Sequence, residues 1–215
     1  LNAKGSQDEG LSLVKKAILS YQDAEEPQGV VRANAEFGVV MLSQGSISSA
    51  RDYFSIASRT AAQIDDRRGA LHAGILELGT DITIGSLTRA REQAEILKAE
   101  AARLAVRQEE LYLDFVLGRL AFELGRYADA EDIFSRSLCE ADVIDNDEAG
   151  SLLTRWLSRS VAYRGAARRG LEILDTTPSS REAVLFRTEI LILLGQFGDA
   201  AETAAGAAEA EPRAY

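Results

Sequence analysis

The stretch "LGRYADAEDIFSRSL", Leu124–Leu138, sets a glycine, an aromatic, an alanine and a second aromatic at Gly125, Tyr127, Ala130 and Phe134. Glycine ends a helix readily because it takes a left-handed backbone at no steric cost. A new helix then starts within a residue or two, and Ala130, Phe134 and Ser137 fall along one of its faces. A small residue on that face lets another helix axis pass close by, where a larger one would push the pair apart. The stretch therefore reads as the turn and second helix of a helical hairpin.

The same columns recur along the chain, and such repeats govern any fold assignment. Steps of 40 residues lead from Gly125 to Gly85, Gly45 and Gly5, and from Ala130 to Ala90, Ala50 and Gly10. Phe134 is matched by Ala94, Phe54 and Val14, and Tyr127 by Leu87, Ile47 and Gln7. Downstream the step shortens: Ala166 and Ala200 carry the small residue, Tyr163 and Phe197 the ring, and Pro178 and Pro212 stand 34 apart.

These columns resemble the tetratricopeptide repeat. The best unit, 111–144, matches through Gly118, Gly125, Tyr127, Ala130 and Phe134, and the unit at 31–64 through Gly38, Gly45, Ala50, Phe54 and Ala57. Units at 147–180 and 181–214 end on Pro178 and Pro212, a proline this repeat often carries. The weakest match is 65–106, where "GTDITIG" interrupts the first helix with Gly79 and Asp81 and Ala94 replaces the ring. On period alone, the 40-residue spacing is similar to the variety found in large bacterial regulators and signalling ATPases, among them maltose-regulator-like transcription activators.

The resemblance implies an all-α, right-handed α-α superhelix of stacked antiparallel hairpins. As one domain over 1–215, its units are 1–29 (a half unit), 30–64, 65–108, 109–144, 145–180 and 181–215. First helices are expected at 30–44, 66–80, 109–124, 146–160 and 180–194, and second helices at 47–60, 87–106, 127–141, 163–174 and 197–210. Residues 10–24 read as the second helix of a unit whose first helix lies before residue 1. Neither end shows the polar cap that repeat arrays carry, and no initiating methionine is present, so the expectation is a segment of a longer protein.

Composition narrows the function classes. Hydrophobic residues make up 46% and charged ones 27% of 215, ordinary for a folded globular chain. The net charge of -10 argues against direct nucleic-acid binding, which needs a basic surface. The longest apolar run, "ILILL" at 190–194, is far short of the roughly 20 residues that span a bilayer, and "LNAKGSQDEG" has no leader-like apolar core. A cytoplasmic location is the default. The single cysteine, Cys139, excludes an internal disulfide and reads as a small buried side chain on a helix.

Chemistry is sparsely signalled. His72 has no second histidine or cysteine near it, and no phosphate loop, nucleophile elbow or zinc-binding pair occurs. The 34 Asp and Glu read as solvated charge along helix faces. "DVIDNDE", 142–148, lacks the glycine and glutamate of a calcium loop and reads as an acidic turn and helix start. No enzyme, cofactor or metal is expected.

One positive departure stands out in this acidic chain: Arg155, Arg159, Arg164, Arg168 and Arg169 fall within 15 positions. Arg155 and Arg159 share a helix face, and the preceding unit offers Tyr112, Phe115, Arg119 and Phe122. By the resemblance, first helices line the concave side, so these six residues would make a wall suited to an acidic or carboxylate-ended peptide. The alternative is internal pairing of the arginines with Glu148, Glu182 and Glu189, with Phe115 and Phe122 as interhelix core. The lysine and asparagine set of the chaperone-tail clamp is absent. The expected function is a non-catalytic scaffold for a protein or peptide partner. A sensor or oligomerisation arm of a larger bacterial regulator, and a small-molecule anion site around Tyr112, Arg119 and Trp156, are the alternatives.

Overall fold

The computed structural model describes residues 12–210 other than 14, 22, 144, 145 and 179, with side chains described to residue 206. Gly5, Gln7, Gly10, Val14 and Pro212 of the repeat columns lie outside the described residues. Among the described residues the structure is all helix and loop, with no strand.

Two compact units are present, one reaching to Val116 and the other beginning at Leu117. The first holds α1 (helical at 12, 13, 15–21 and 23), α2 (Pro27–Ser43), α3 (Ile47–Gln63), α4 (Arg67–Ile84), α5 (Leu87–Leu104) and the start of α6 (Arg107–Glu123). The second holds the rest of α6, α7 (Tyr127–Val143), α8 (Asp147–Tyr163), α9 (Ala167–Leu174), α10 (Arg181–Leu193) and α11 (Phe197–Ala210). Within the first unit α2 packs on α3, α3 on α4 and α4 on α5; within the second α7 packs on α8, α8 on α9 and α10 on α8, α9 and α11. Each is a run of antiparallel hairpins in which every helix covers a neighbour's apolar face.

The hairpin turns have one common design. Gly45, Gly85, Gly125, Gly165 and Gly195 all have positive φ, between 73° and 106°. At Gly125 the amide donates to the Phe122 carbonyl and the next amide, Arg126, to the Ala121 carbonyl, both at 2.9 Å. This pair of bonds satisfies carbonyls that the last helical turn leaves orphaned. The three connections before α2, α4 and α6 use the same conformation without glycine, at Glu25, Asp65 and Ala105. From Glu25 to Gly125 a left-handed residue thus recurs every 20 positions, one per helix.

This geometry corrects one register. The ring of Tyr163 does not open the second helix of its unit; it closes α8, and α9 starts four residues later at Ala167. The residue matching Ala50, Ala90 and Ala130, five after the left-handed glycine, is therefore Gly170 rather than Ala166. A Cβ at Gly170 would come within 2.7 Å of the Ser158 carbonyl oxygen, so α8 and α9 approach more closely than alanine allows. The 40-residue step persists to Gly165 and shortens only afterwards.

The large and small residues of the α2–α3, α4–α5 and α6–α7 hairpins are reciprocal. A Cβ added at Gly38 would lie 2.4 Å from the Phe54 ring, and one at Gly118 would lie 2.5 Å from that of Phe134. In the α4–α5 hairpin Leu78 takes the glycine position and Ala94 the ring position, and both are buried. The summed volume is conserved, so the hairpin that reads as weakest in sequence is closed at this position. Nor does "GTDITIG" interrupt anything: α4 runs unbroken through Gly79 and Asp81 to Ile84. Cys139 is a further correction, exposed on α7, because the buried face of that helix carries Ala130, Phe134, Ser137 and Ala141.

Candidate functional site

The arginine-rich α8 is positioned by its caps and its apolar stripe. Asn146 caps it by accepting from the Ala149 amide at 3.0 Å, and Asp147 and Glu148 sit in the first turn where the helix field favours them. Leu153 and Trp156 point inward, which turns Arg155 and Arg159 toward α10. Arg155 Nε donates to Glu182 Oε2 at 3.1 Å. Arg159 forms a two-pronged pair with Glu189, Nε to Oε2 at 2.8 Å and Nη2 to Oε1 at 3.0 Å. Tyr163 donates its hydroxyl to the same carboxylate. Burial and the Glu189 carboxylate together push the Tyr163 phenol above its ordinary range, so it stays a donor.

Rings surround the Arg159 guanidinium. Its Cζ lies 4.4 Å from the Phe122 ring centre, 4.9 Å from Phe186, 5.1 Å from Trp156 and 5.7 Å from Tyr163. The rings meet edge to face, Phe122 with Trp156 at 5.7 Å and Trp156 with Phe186 at 5.2 Å. Arg119 adds a second guanidinium 5.1 Å from the Trp156 ring. Planar cations over aromatic faces gain where water is excluded.

The predicted wall is thus assembled in part. Arg119, Phe122 and Arg159 converge on Trp156, and Arg155 stands one turn before Arg159. Tyr112 and Phe115 lie in the other unit, their rings 6.4 Å apart, Tyr112 exposed and Phe115 half-buried. The arginine partners are Glu182 and Glu189, with Arg164 held by Glu131 at 2.8 Å. Three of the five clustered arginines, Arg155, Arg159 and the exposed Arg164, therefore have carboxylate partners within the fold, whereas Arg168 and Arg169 are exposed with none among the described residues.

A second polar cluster was not visible in the sequence. Asp81 and Glu77, one turn apart on α4, are buried, contrary to the expectation of solvated carboxylates. Arg51 of α3 reaches Asp81 Oδ1 at 2.6 Å, while Arg89 of α5 reaches Glu77 Oε1 at 2.7 Å and Asp81 Oδ2 at 3.2 Å. Burial first, then the Asp81 charge, push the Glu77 carboxyl above the ordinary carboxylate range. Glu109, also buried, pairs with Arg68 at 2.7 Å. The only available signal was an acidic residue on the face of α4 that periodicity assigns to the core. His72 is exposed, and no group of three or more His, Cys, Asp or Glu among the described residues is arranged to hold a metal ion. No described helix is long and apolar enough to cross a membrane.

No protein-family model and no curated protein matches the sequence. Among solved structures the chain is similar to a putative kinesin light chain with nearly identical TPR-like repeats from Podosopora anserina. The identity is 14% and the TM-score 0.62, over 85% of this chain and 94% of that one. BtubC (BKLC) from P. vanneervenii matches at 13% identity and TM-score 0.64, over 94% and 90%. A tetratricopeptide repeat protein from Parabacteroides merdae matches at 11% and 0.51, over 96% and 95%. At such identities the likeness concerns the fold: the described residues have an all-helical, TPR-like repeat fold.

Proposed function

We propose that the chain is a non-catalytic scaffold that binds a peptide segment or helix of a partner protein. TPR-like repeats as a class serve protein association, and the observation that carries the reading here is the surface of the last hairpin. Leu185 and Leu193 precede Gly195 by ten and two residues. Arg155 and Tyr163 precede Gly165 by the same intervals, and on α8 those positions meet α10 through Glu182 and Glu189. On α10 the corresponding stripe is apolar and exposed, Leu185 at 59% and Leu193 at 47%, with Ile192 beside it and Phe197 at 68% on α11. Exposed apolar groups clustered on one hairpin mark an association surface, and it continues the register by which α8 already receives a helix.

The six-residue wall takes a reduced part in this proposal. Arg155 and Arg159 tie α8 to α10, so reversing either charge acts on stability before it acts on any ligand. Tyr112 is the member most open to a partner.

Panning a display library of random peptides on the folded chain tests the proposal. Selected peptides should carry apolar residues at helical spacing and lose binding to Leu193→Ser/Phe197→Ser, while circular dichroism of that variant is unchanged. If no peptide is enriched, or those enriched bind the variant as well as wild type, the scaffold surface is not on this hairpin.

A further inference from the structure

Arg168 and Arg169 are the part of the arginine cluster that the fold leaves unused. Neither makes an ion pair or side-chain hydrogen bond among the described residues, and both line a cleft of about 750 Å³ between the α8–α9 turn and the end of α10. Tyr163, Leu193 and Leu194 form its apolar wall, and among the described residues Glu172 is its one acidic lining residue, unpaired with either arginine. Helix stability does not account for the pair. Arg168 and Arg169 occupy the first turn of α9, where the helix field disfavours cations. In a chain of net charge -10, where Arg155, Arg159 and Arg164 have carboxylate partners, two guanidiniums with none among the described residues, set beside an apolar wall, suit an acidic occupant.

We infer that this cleft receives an acidic segment of a partner protein, apolar side chains against Leu193 and Leu194 and carboxylates on Arg168 and Arg169. The inference rests on the scaffold reading, since it shares Leu193 with the exposed stripe, and it adds the chemistry of the partner. It also runs against the field of the whole molecule. An acidic chain attracts basic peptides at long range, so a preference for acidic ones can come only from a local site.

The test uses two fluorescein-labelled amphipathic peptides with identical leucines, one carrying glutamate and the other lysine at every polar position, read by fluorescence anisotropy. Wild type is expected to bind the glutamate peptide at least about tenfold more tightly in low salt, with the advantage shrinking as salt rises. Arg168→Glu/Arg169→Glu should abolish the preference. The same reversal at Arg91 and Arg136, exposed arginines outside the cleft, changes net charge equally and should leave most of it. Equal binding of both peptides, or a glutamate preference that survives the cleft reversal, overturns the acidic-partner inference while the apolar stripe stands. Binding of neither peptide overturns the scaffold reading of this hairpin and the inference with it.

Discussion

The two polar clusters fasten hairpins in opposite ways. On α4 the carboxylates of Glu77 and Asp81 are buried in the first helix, and arginines reach in from the second helices on either side. On α8 the arginines belong to the first helix, the carboxylates come from α10, and rings replace the second layer of charge. The contrast teaches that a repeat fixes where a cross-link between helices is possible, and leaves its chemistry open. It also predicts unequal consequences. A buried carboxylate is costly to strand, but Arg89 is about half exposed and can return to water. Arg159 cannot leave without also emptying a ring-lined space.

The sharpest way to break the comparison is Arg159→Ala. It removes the two-pronged pair and the cation shared by four rings, and should cost about 3 kcal/mol in denaturant unfolding. A loss under about 1 kcal/mol would mean that the ring cluster stands without its arginine.

A smaller effect is expected one turn away. Arg155→Glu places a carboxylate against Glu182 and should cost about 1 kcal/mol, the pair being partly open to solvent. Adding Glu182→Arg should recover most of that loss. Failure of the swap to recover stability would show that Arg155 acts through something other than Glu182. Recovered stability with peptide binding still lost would return Arg155 to the ligand wall.

The smallest effect depends on pH. Because the folded-state pKa of Glu77 is raised, its contribution is intact below the ordinary carboxylate pKa of about 4.3. It is lost as pH rises through the higher folded value. Glu77→Gln should match wild type in stability near pH 4 and gain on it as the pH is raised to 8. A variant that loses stability relative to wild type as pH rises would show that the Arg89 pair outweighs the burial of the charge.

Much of the fold was legible because its signals are local. Gly45, Gly85 and Gly125 mark left-handed turns, and Ala50, Ala90 and Ala130 mark close approach; both follow from sterics within a few residues. The helix through "GTDITIG" is not legible in sequence because Gly79 and Asp81 are poor helix formers in isolation, whereas in the fold Asp81 is paired by Arg51 and Arg89, 30 residues before it and 8 after. Tyr163 reads into the second helix of its unit because aromatic columns and glycine columns disagree there, and the positive φ of Gly165 settles the register.

The repeating hairpin, its 40-residue period and the density of arginine after position 150 are written in the amino-acid order. Those properties depend on backbone sterics and composition, which act at short range. Which arginines meet a carboxylate among the described residues, and that Leu78 and Ala94 exchange volumes, follow from how the helices pack. Whether a charge meets a partner, or a side chain meets a gap, depends on distances between helices that no single segment encodes.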